Sequence, residues 1–241
     1  MGLSALILGA TGATGKQLLQ ELLASPQYSS VAEYGRRVTS SELITSGKDK
    51  LEQKTIDFEK LEESGLKDKK WDVVFITLGT TRNKAGSAAS FERIDREYVI
   101  NAARAAKSDD PSHRQKLLYV SSGGANPSSY ALYMRSKGLT ELGLAELGYS
   151  DTIIFRPALL GAERGESRPL ETIAQTLIRG LSAISSRIYM PVTTLAKSMR
   201  IAGEAGTTGL PPATVHKAGG ANAPFTLADN SSILTIANAF A

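Results

Sequence analysis

The sequence predicts an α/β fold, a doubly wound parallel sheet, on three observations. The apolar run Ser4-Ala5-Leu6-Ile7-Leu8 leads straight into Gly9-Ala10-Thr11-Gly12-Ala13-Thr14-Gly15. Residues 16–24 then carry Leu18, Leu19, Leu22 and Leu23 at helical spacing, so the chain opens as strand, glycine turn and helix. Further apolar strand runs at 71–78, 116–120 and 152–157 are separated by helical patterns, the alternation that builds a sheet with helices on both faces.

Composition sets the bounds. At 241 residues, 41% hydrophobic and 22% charged, the chain matches a soluble globular protein able to bury a sizeable core. No apolar run approaches a membrane span, and the five-residue run before the glycine turn is too short for a secretory signal. The absence of Cys excludes disulfides and thiolate metal sites, and His113 and His216 are too distant in sequence for a local metal motif, so no metal is expected. A net charge of +4 favours anionic partners such as nucleotides, phospholipid surfaces or nucleic acid. The densest basic group, Lys67, Lys69 and Lys70, is interleaved with Glu62, Glu63 and Asp68 and reads as a solvated loop, and no nucleic-acid motif accompanies it.

The glycine turn is where phosphate chemistry enters. A dinucleotide pyrophosphate sits against free N–H groups at a helix N-terminus, and a side chain at the closest approach would push it away. Gly9, Ala10, Thr11, Gly12, Ala13, Thr14 and Gly15 are therefore candidate cofactor contacts. The spacing G-x-x-G-x-x-G departs from the usual G-x-G-x-x-G but keeps its strand and helix context. A P-loop would need Gly in place of Ala10 and Ser or Thr in place of Gln17. The plainer alternative is a tight turn without a ligand.

A second strand over 31–34 ends at Gly35-Arg36-Arg37, the distance at which dinucleotide folds meet the adenosine ribose. An acidic residue there would hold both ribose hydroxyls; Arg36 and Arg37 instead offer charge-assisted donors to a 2'-phosphate and favour NADP, against the alternative of an exposed basic turn. Residues 38–54 carry little signal. Thr55-Ile56-Asp57-Phe58 reads as a short strand, with Asp57 poised between an adenine contact and a helix cap or simple loop carboxylate before residues 60–66. The strand at 71–78 places Leu78, Gly79 and Thr80 at its carboxyl end, where open α/β sheets bind ligands.

Residues 87–107 predict a long amphipathic helix packed through Phe91, Ile94, Tyr98, Ala102 and Ala105, with Asp95 and Arg96 as solvated charges. The next strand ends in Ser121-Ser122. Tyr133 and Lys137, four residues apart, share a helix face, and an ammonium near a phenol favours the phenolate, making Tyr133 a usable proton donor and acceptor. With Ser122 on a substrate carbonyl, and Ser121 as its alternate, this is a catalytic set for hydride transfer. Alone, Y-x-x-x-K is also the spacing of a core aromatic beside a surface lysine.

These motifs resemble the short-chain dehydrogenase/reductase superfamily in its atypical branch. Gly35-Arg36-Arg37, Asp57-Phe58-Glu59-Lys60-Leu61, the stretch 78–86 and Glu166-Ser167-Arg168-Pro169 are similar to the family of the human Tat-interacting oxidoreductase-like protein, above all to its fungal relatives of the mitochondrial outer membrane. The resemblance covers residues 4–205. It implies a Rossmann-type NADPH-binding fold with Ser122, Tyr133 and Lys137 at the catalytic positions. It also implies Lys137 on the nicotinamide ribose, and Pro157, Ala158 and Leu159 in a nicotinamide-side loop. It further implies peripheral membrane association, mitochondrial placement and regulatory protein binding.

Residues 1–205 then form the cofactor domain, including a small substrate-side lobe at about 158–205 with a charged loop at 163–168, a helix over 170–183 and a final helix capped by Thr193 or Thr194. From 206 onward Gly, Pro, Ala, Thr and Asn dominate, which predicts a linker-like tail. Within it, Phe225-Thr226-Leu227 can add an edge strand and residues 233–236 can dock as a helical turn. The leading functional reading is an NADPH-dependent reductase of a small-molecule carbonyl. The alternative is a cofactor-sensing regulatory or adaptor protein on the mitochondrial outer membrane, with little or no catalysis.

Overall fold

The computed structural model describes residues 2–80, 82–161 and 189–239. The expected loop at 163–168 and helix at 170–183 lie outside them. β1 (Leu3–Leu8), α1 (Ala13–Ala24), β2 (Tyr28–Gly35), β3 (Leu51–Thr55) and β4 (Val73–Ile76) are followed by the short helices α2 (Arg82–Ala85) and α3 (Ala88–Glu92). A π-helical turn, Arg93–Glu97, continues into α4 (Tyr98–Ala106). Then come β5 (Lys116–Val120), α5 (Leu132–Ala145), β6 (Asp151–Phe155), β7 (Leu159–Gly161), β8 (Tyr189–Pro191) and α6 (Val192–Gly209). β9 (His216–Gly220), β10 (Ala223–Ala228) and α7 (Asn230–Ala239) complete the described chain.

Eight strands form one sheet in the order β3-β2-β1-β4-β5-β6-β10-β9, parallel throughout except for the antiparallel β9–β10 pair. β7 and β8 pair separately. Alternate strand residues sort into two cores, as the two-residue period requires. Ala5, Ile7, Val73, Phe75, Leu118 and Ile153 face Leu18, Leu22, Met199 and Ile233 of α1, α6 and α7, whereas Leu6, Leu8, Val74, Leu117 and Ile154 face Val99, Ala102 and Leu144 of α4 and α5. The order in which strands are added reverses between β1 and β4, so a crevice opens at their carboxyl ends, where the glycine turn lies.

Several expectations change. The third strand is Leu51–Thr55 rather than 55–58; it is an edge strand of largely polar residues, so no apolar pattern marks it, and residues 60–66 hold only a 3-10 turn at Leu61–Glu63. Asp95 is fully buried rather than solvated. The π turn is wider than an α turn, and the buried face steps Phe91, Asp95, Val99, leaving Ile94 and Tyr98 half-buried. Neither Thr193 nor Thr194 caps α6, which starts after Pro191 at Val192 without a side-chain cap.

The region after 206 is not a linker. Its glycines serve a hairpin: Gly219 takes φ +87°, and β10 pairs in parallel with β6 while β9 covers its other edge. Phe225-Thr226-Leu227 therefore lie inside the sheet rather than at its edge. Ile233 and Ile236 are buried in α7, whose first turn is held by Ser232 N–H donating to the Asp229 carboxylate at 2.8 Å.

Candidate functional site

The three glycines of the turn do different work. Gly9 takes φ +99°, and a Cβ there would lie 2.8 Å from Leu78 N. A Cβ on Gly15 would lie 2.2 Å from Gly9 O and 2.8 Å from Thr77 Oγ1, whose hydroxyl donates to Gly9 O at 3.0 Å. Both positions are closed by the protein's own packing. Gly12 is the open one: a Cβ there would meet only Gly9 O, at 3.4 Å. It sits at the N-cap of α1 with no side-chain cap and no acidic residue in the first turn, so the helix's leading N–H groups face the crevice available to an anion. Ala10, Thr14 and Gly15 are buried, while Thr11, Gly12 and Ala13 are partly accessible. A cradle that a side chain at Gly12 would obstruct fits a dinucleotide pyrophosphate.

At the far end of β2, Arg36 and Arg37 are exposed and make no hydrogen bond or ion pair among the described residues. Asp57 is exposed, and its Oδ1 accepts the Glu59 N–H at 2.9 Å, the turn-capping alternative. Phe58 is buried and stacked on Tyr98, with centroids 5.6 Å apart, which leaves its backbone as the part open to a ligand.

The centre of the site is Lys137, 4% exposed on α5. Its Nζ donates to the Tyr119 hydroxyl at 2.9 Å and pairs with Asp95 Oδ1 at 3.2 Å. Burial alone would lower its pKa, but Tyr119, Asp95 and Tyr133 outweigh it and hold the ammonium above the ordinary lysine value. Burial, with Asp95 adding to it and Lys137 opposing, pushes the Tyr119 phenol up, so the stable pairing is an ammonium beside a neutral phenol. Gly79, exposed at the end of the β4 segment, covers this pair: a Cβ there would lie 3.5 Å from Asp95 Oδ1 and 3.7 Å from Lys137 Nζ. The Thr80 N–H donates to Asp95 Oδ1 at 3.3 Å, and Leu78 beside them is half-buried. Asp95 Oδ2 is buried without a hydrogen-bond donor among the described residues.

Tyr133 lies one helical turn before Lys137, 41% exposed, with Lys137 Nζ 6.0 Å from its ring centroid and Phe91 beside the ring at 6.0 Å. The ammonium thus lies near Tyr133 while its hydrogen bonds go to Tyr119 and Asp95. Ser122 is half-buried, its hydroxyl making only a long 3.4 Å contact to Gly123 O among the described residues. Ser121 is no alternate: its hydroxyl donates to Glu141 Oε1 at 2.5 Å, inside a buried cluster that Arg156 forks at 2.9 and 2.5 Å. The loops after β5 and β6 adjoin, since Gly123 N–H donates to Pro157 O at 2.8 Å and Ala158 N–H to Asn230 Oδ1 at 2.9 Å. Leu159 begins β7 and is 70% exposed.

Sequence reasoning missed Asp95 and Tyr119. The signal for Asp95 was a four-residue step from Phe91 to Val99 through a carboxylate; for Tyr119 it was a hydroxyl-bearing ring on the α5-facing side of a buried strand.

Comparison with known proteins bears on the fold and the family. The family model described as the NAD dependent epimerase/dehydratase family matches residues 5–137. Protein HTATIP2 of Rattus norvegicus is 40% identical over 197 residues, covering 81% of this chain and 79% of that protein. Protein FMP52, mitochondrial, of Candida albicans is 39% identical over 187 residues, covering 73% and 75%. Among solved structures, the Bordetella bronchiseptica enzyme WbmH in complex with NAD+ superposes with a TM-score of 0.62 at 19% identity, over 85% of this chain and 73% of that one. The nucleoside-diphosphate-sugar epimerase from Agrobacterium tumefaciens gives 0.60 at 18%, over 84% and 69%. The structural likenesses establish the Rossmann-like fold, and the sequence matches establish kinship: this chain belongs to the NAD dependent epimerase/dehydratase family within the short-chain dehydrogenase/reductase superfamily.

Proposed function

We propose that this protein is an NADP-dependent oxidoreductase that reduces a small-molecule carbonyl. The observation that carries the reading is a buried lysine ammonium, fixed by Asp95 and Tyr119, lying beneath the partly exposed phenol of Tyr133. When bound, the cofactor supplies hydride to the carbonyl carbon. The leading N–H groups of α1 at Ala13 and Thr14, beside the open Gly12, hold the pyrophosphate, and Arg36 and Arg37 take the 2'-phosphate. Gly9, Ala10, Thr11 and Gly15 shape that turn. Asp57 and Phe58 border the adenine, with Leu78, Gly79 and Thr80 along the middle of the crevice. Pro157, Ala158 and Leu159 flank its nicotinamide end. Lys137 donates to the nicotinamide ribose, Ser122 hydrogen-bonds the substrate oxygen, and Tyr133 delivers the proton that turns the carbonyl into an alcohol.

A panel of aldehydes and ketones with NADPH tests this. Wild type is expected to turn over at least one, and Tyr133→Phe to lose most of that rate, by roughly 10²-fold or more as befits a lost general acid. Equal turnover by both proteins, or none by wild type, overturns it.

A second reading is favoured by a different observation: Lys137 directs its hydrogen bonds to Tyr119 and Asp95 rather than to the Tyr133 hydroxyl. It describes a cofactor-sensing adaptor, peripheral on the mitochondrial outer membrane, that binds NADPH tightly without reducing anything and meets a protein partner according to cofactor occupancy. The fungal relatives' names, which say mitochondrial, support the organelle. No helix among the described residues is long and apolar enough to cross a membrane. Salt or carbonate release from purified mitochondria is the expected behaviour, and retention in the pellet counts against peripheral attachment.

A further inference from the structure

The carboxylate nearest the end of β2 is not available to a ribose. Glu33 is 1% exposed, its Oε1 accepting both the N–H and the hydroxyl of Thr39 at 2.8 Å and its Oε2 accepting Gln53 Nε2 at 2.7 Å. Gln53 Nε2 also donates to Thr39 O at 2.7 Å. Glu33 and Gln53 are register partners on β2 and β3, so their side chains share a face and together grip every polar group of Thr39. The chain between these anchors is Tyr34-Gly35-Arg36-Arg37-Val38, the loop that carries both exposed arginines. It turns tightly enough that a Cβ on Gly35 would lie 3.1 Å from Arg37 O.

We infer that Glu33, Gln53 and Thr39 form a clasp that sets dinucleotide preference from behind the site. It keeps the Glu33 carboxylate on protein donors, away from an adenosine ribose, and it closes the loop that presents Arg36 and Arg37 to a 2'-phosphate. The inference rests on the proposed NADP reading. These are positioning residues, for none of them faces the cofactor.

Fluorescence titration with NADPH and with NADH, on wild type, Glu33→Gln and Thr39→Val, tests it. Glu33→Gln turns an amide toward the Gln53 amide, opening the clasp without changing side-chain size, and Thr39→Val removes only the hydroxyl bond. Glu33→Gln is expected to weaken NADPH roughly tenfold, the scale of one misplaced charge-assisted contact, and NADH less than about twofold. Thr39→Val should move the ratio the same way by about threefold, the scale of one neutral hydrogen bond, and it keeps the test open if Glu33→Gln does not fold. Equal weakening of both cofactors, or an unchanged ratio in the folded variants, overturns the clasp. A wild type without NADPH preference instead overturns the NADP reading, before any variant is compared.

Discussion

Asp95→Asn is the sharpest probe of the buried cluster under Gly79. The substitution preserves size and leaves an oxygen to accept the Thr80 N–H and the Lys137 ammonium, but it removes the only carboxylate among the described residues that pairs with Lys137 Nζ, at 3.2 Å. The Lys137 side chain is 5% exposed and that of Asp95 0%, so solvent does not screen the pair. Removing one partner of a buried pair costs roughly 3–5 kcal/mol. The retained acceptor argues for the lower end. For a chain of this size each kcal/mol moves Tm by roughly 2–4 °C, so a fall of about 6–12 °C follows.

The pH dependence carries a sign. In the wild type the folded lysine pKa is raised, so its stabilisation is fully present below the ordinary lysine value of about 10.4 and is lost only as pH rises through the folded value. Thermal stability should therefore show no Lys137 contribution to its slope between pH 6 and 9. In the variant the carboxylate no longer offsets burial, so the lysine pKa falls below that of the folded wild type. The folded variant then sheds a proton more easily than the folded wild type, and its stability deficit shrinks as pH rises. Calorimetric melts at several pH values check this: the gap to wild type should narrow as pH rises. A gap below about 2 °C at pH 7, less than 1 kcal/mol on that scale, or one that widens with pH, refutes the reasoning.

Gly12→Ala should fold with a Tm within about 2 °C of wild type, as an open, unstrained site allows, yet lose NADPH affinity by more than about tenfold if the pyrophosphate lies against that position. Gly15→Ala should instead lower Tm by about 3–10 °C, because its Cβ would be driven into the Gly9 carbonyl; melting curves and titration together separate the two roles. Alanine at both Arg36 and Arg37 should reduce NADPH affinity while leaving NADH binding unchanged, and equal loss for both would remove the arginines from the 2'-phosphate. Glu141→Gln should lower Tm by roughly 6 °C or more, as Ser121 and Arg156 lose a shared buried carboxylate.

What could be read in advance was what lies contiguous in the chain. The strand, glycine turn and first helix occupy 22 consecutive residues from Leu3 to Ala24, and the Tyr133–Lys137 spacing is fixed by helix geometry alone. The polar edge strands β3 and β9 were obscure for one shared reason: at a sheet edge the exposed face need not be apolar, and glycine in β9 serves the turn. The partners of Lys137 were obscure for another. Asp95 comes from a turn whose π geometry breaks the 3.6-residue period that sequence reading relies on, moving the buried face one position off the regular pattern. That same break is what turns a carboxylate inward, so the irregularity that hid Asp95 also supplies the charge that holds Lys137 as an ammonium. A regular α-helix through 93–97 would keep Ile94 and Tyr98 on the buried face and leave Lys137 facing Tyr119 without a counter-charge.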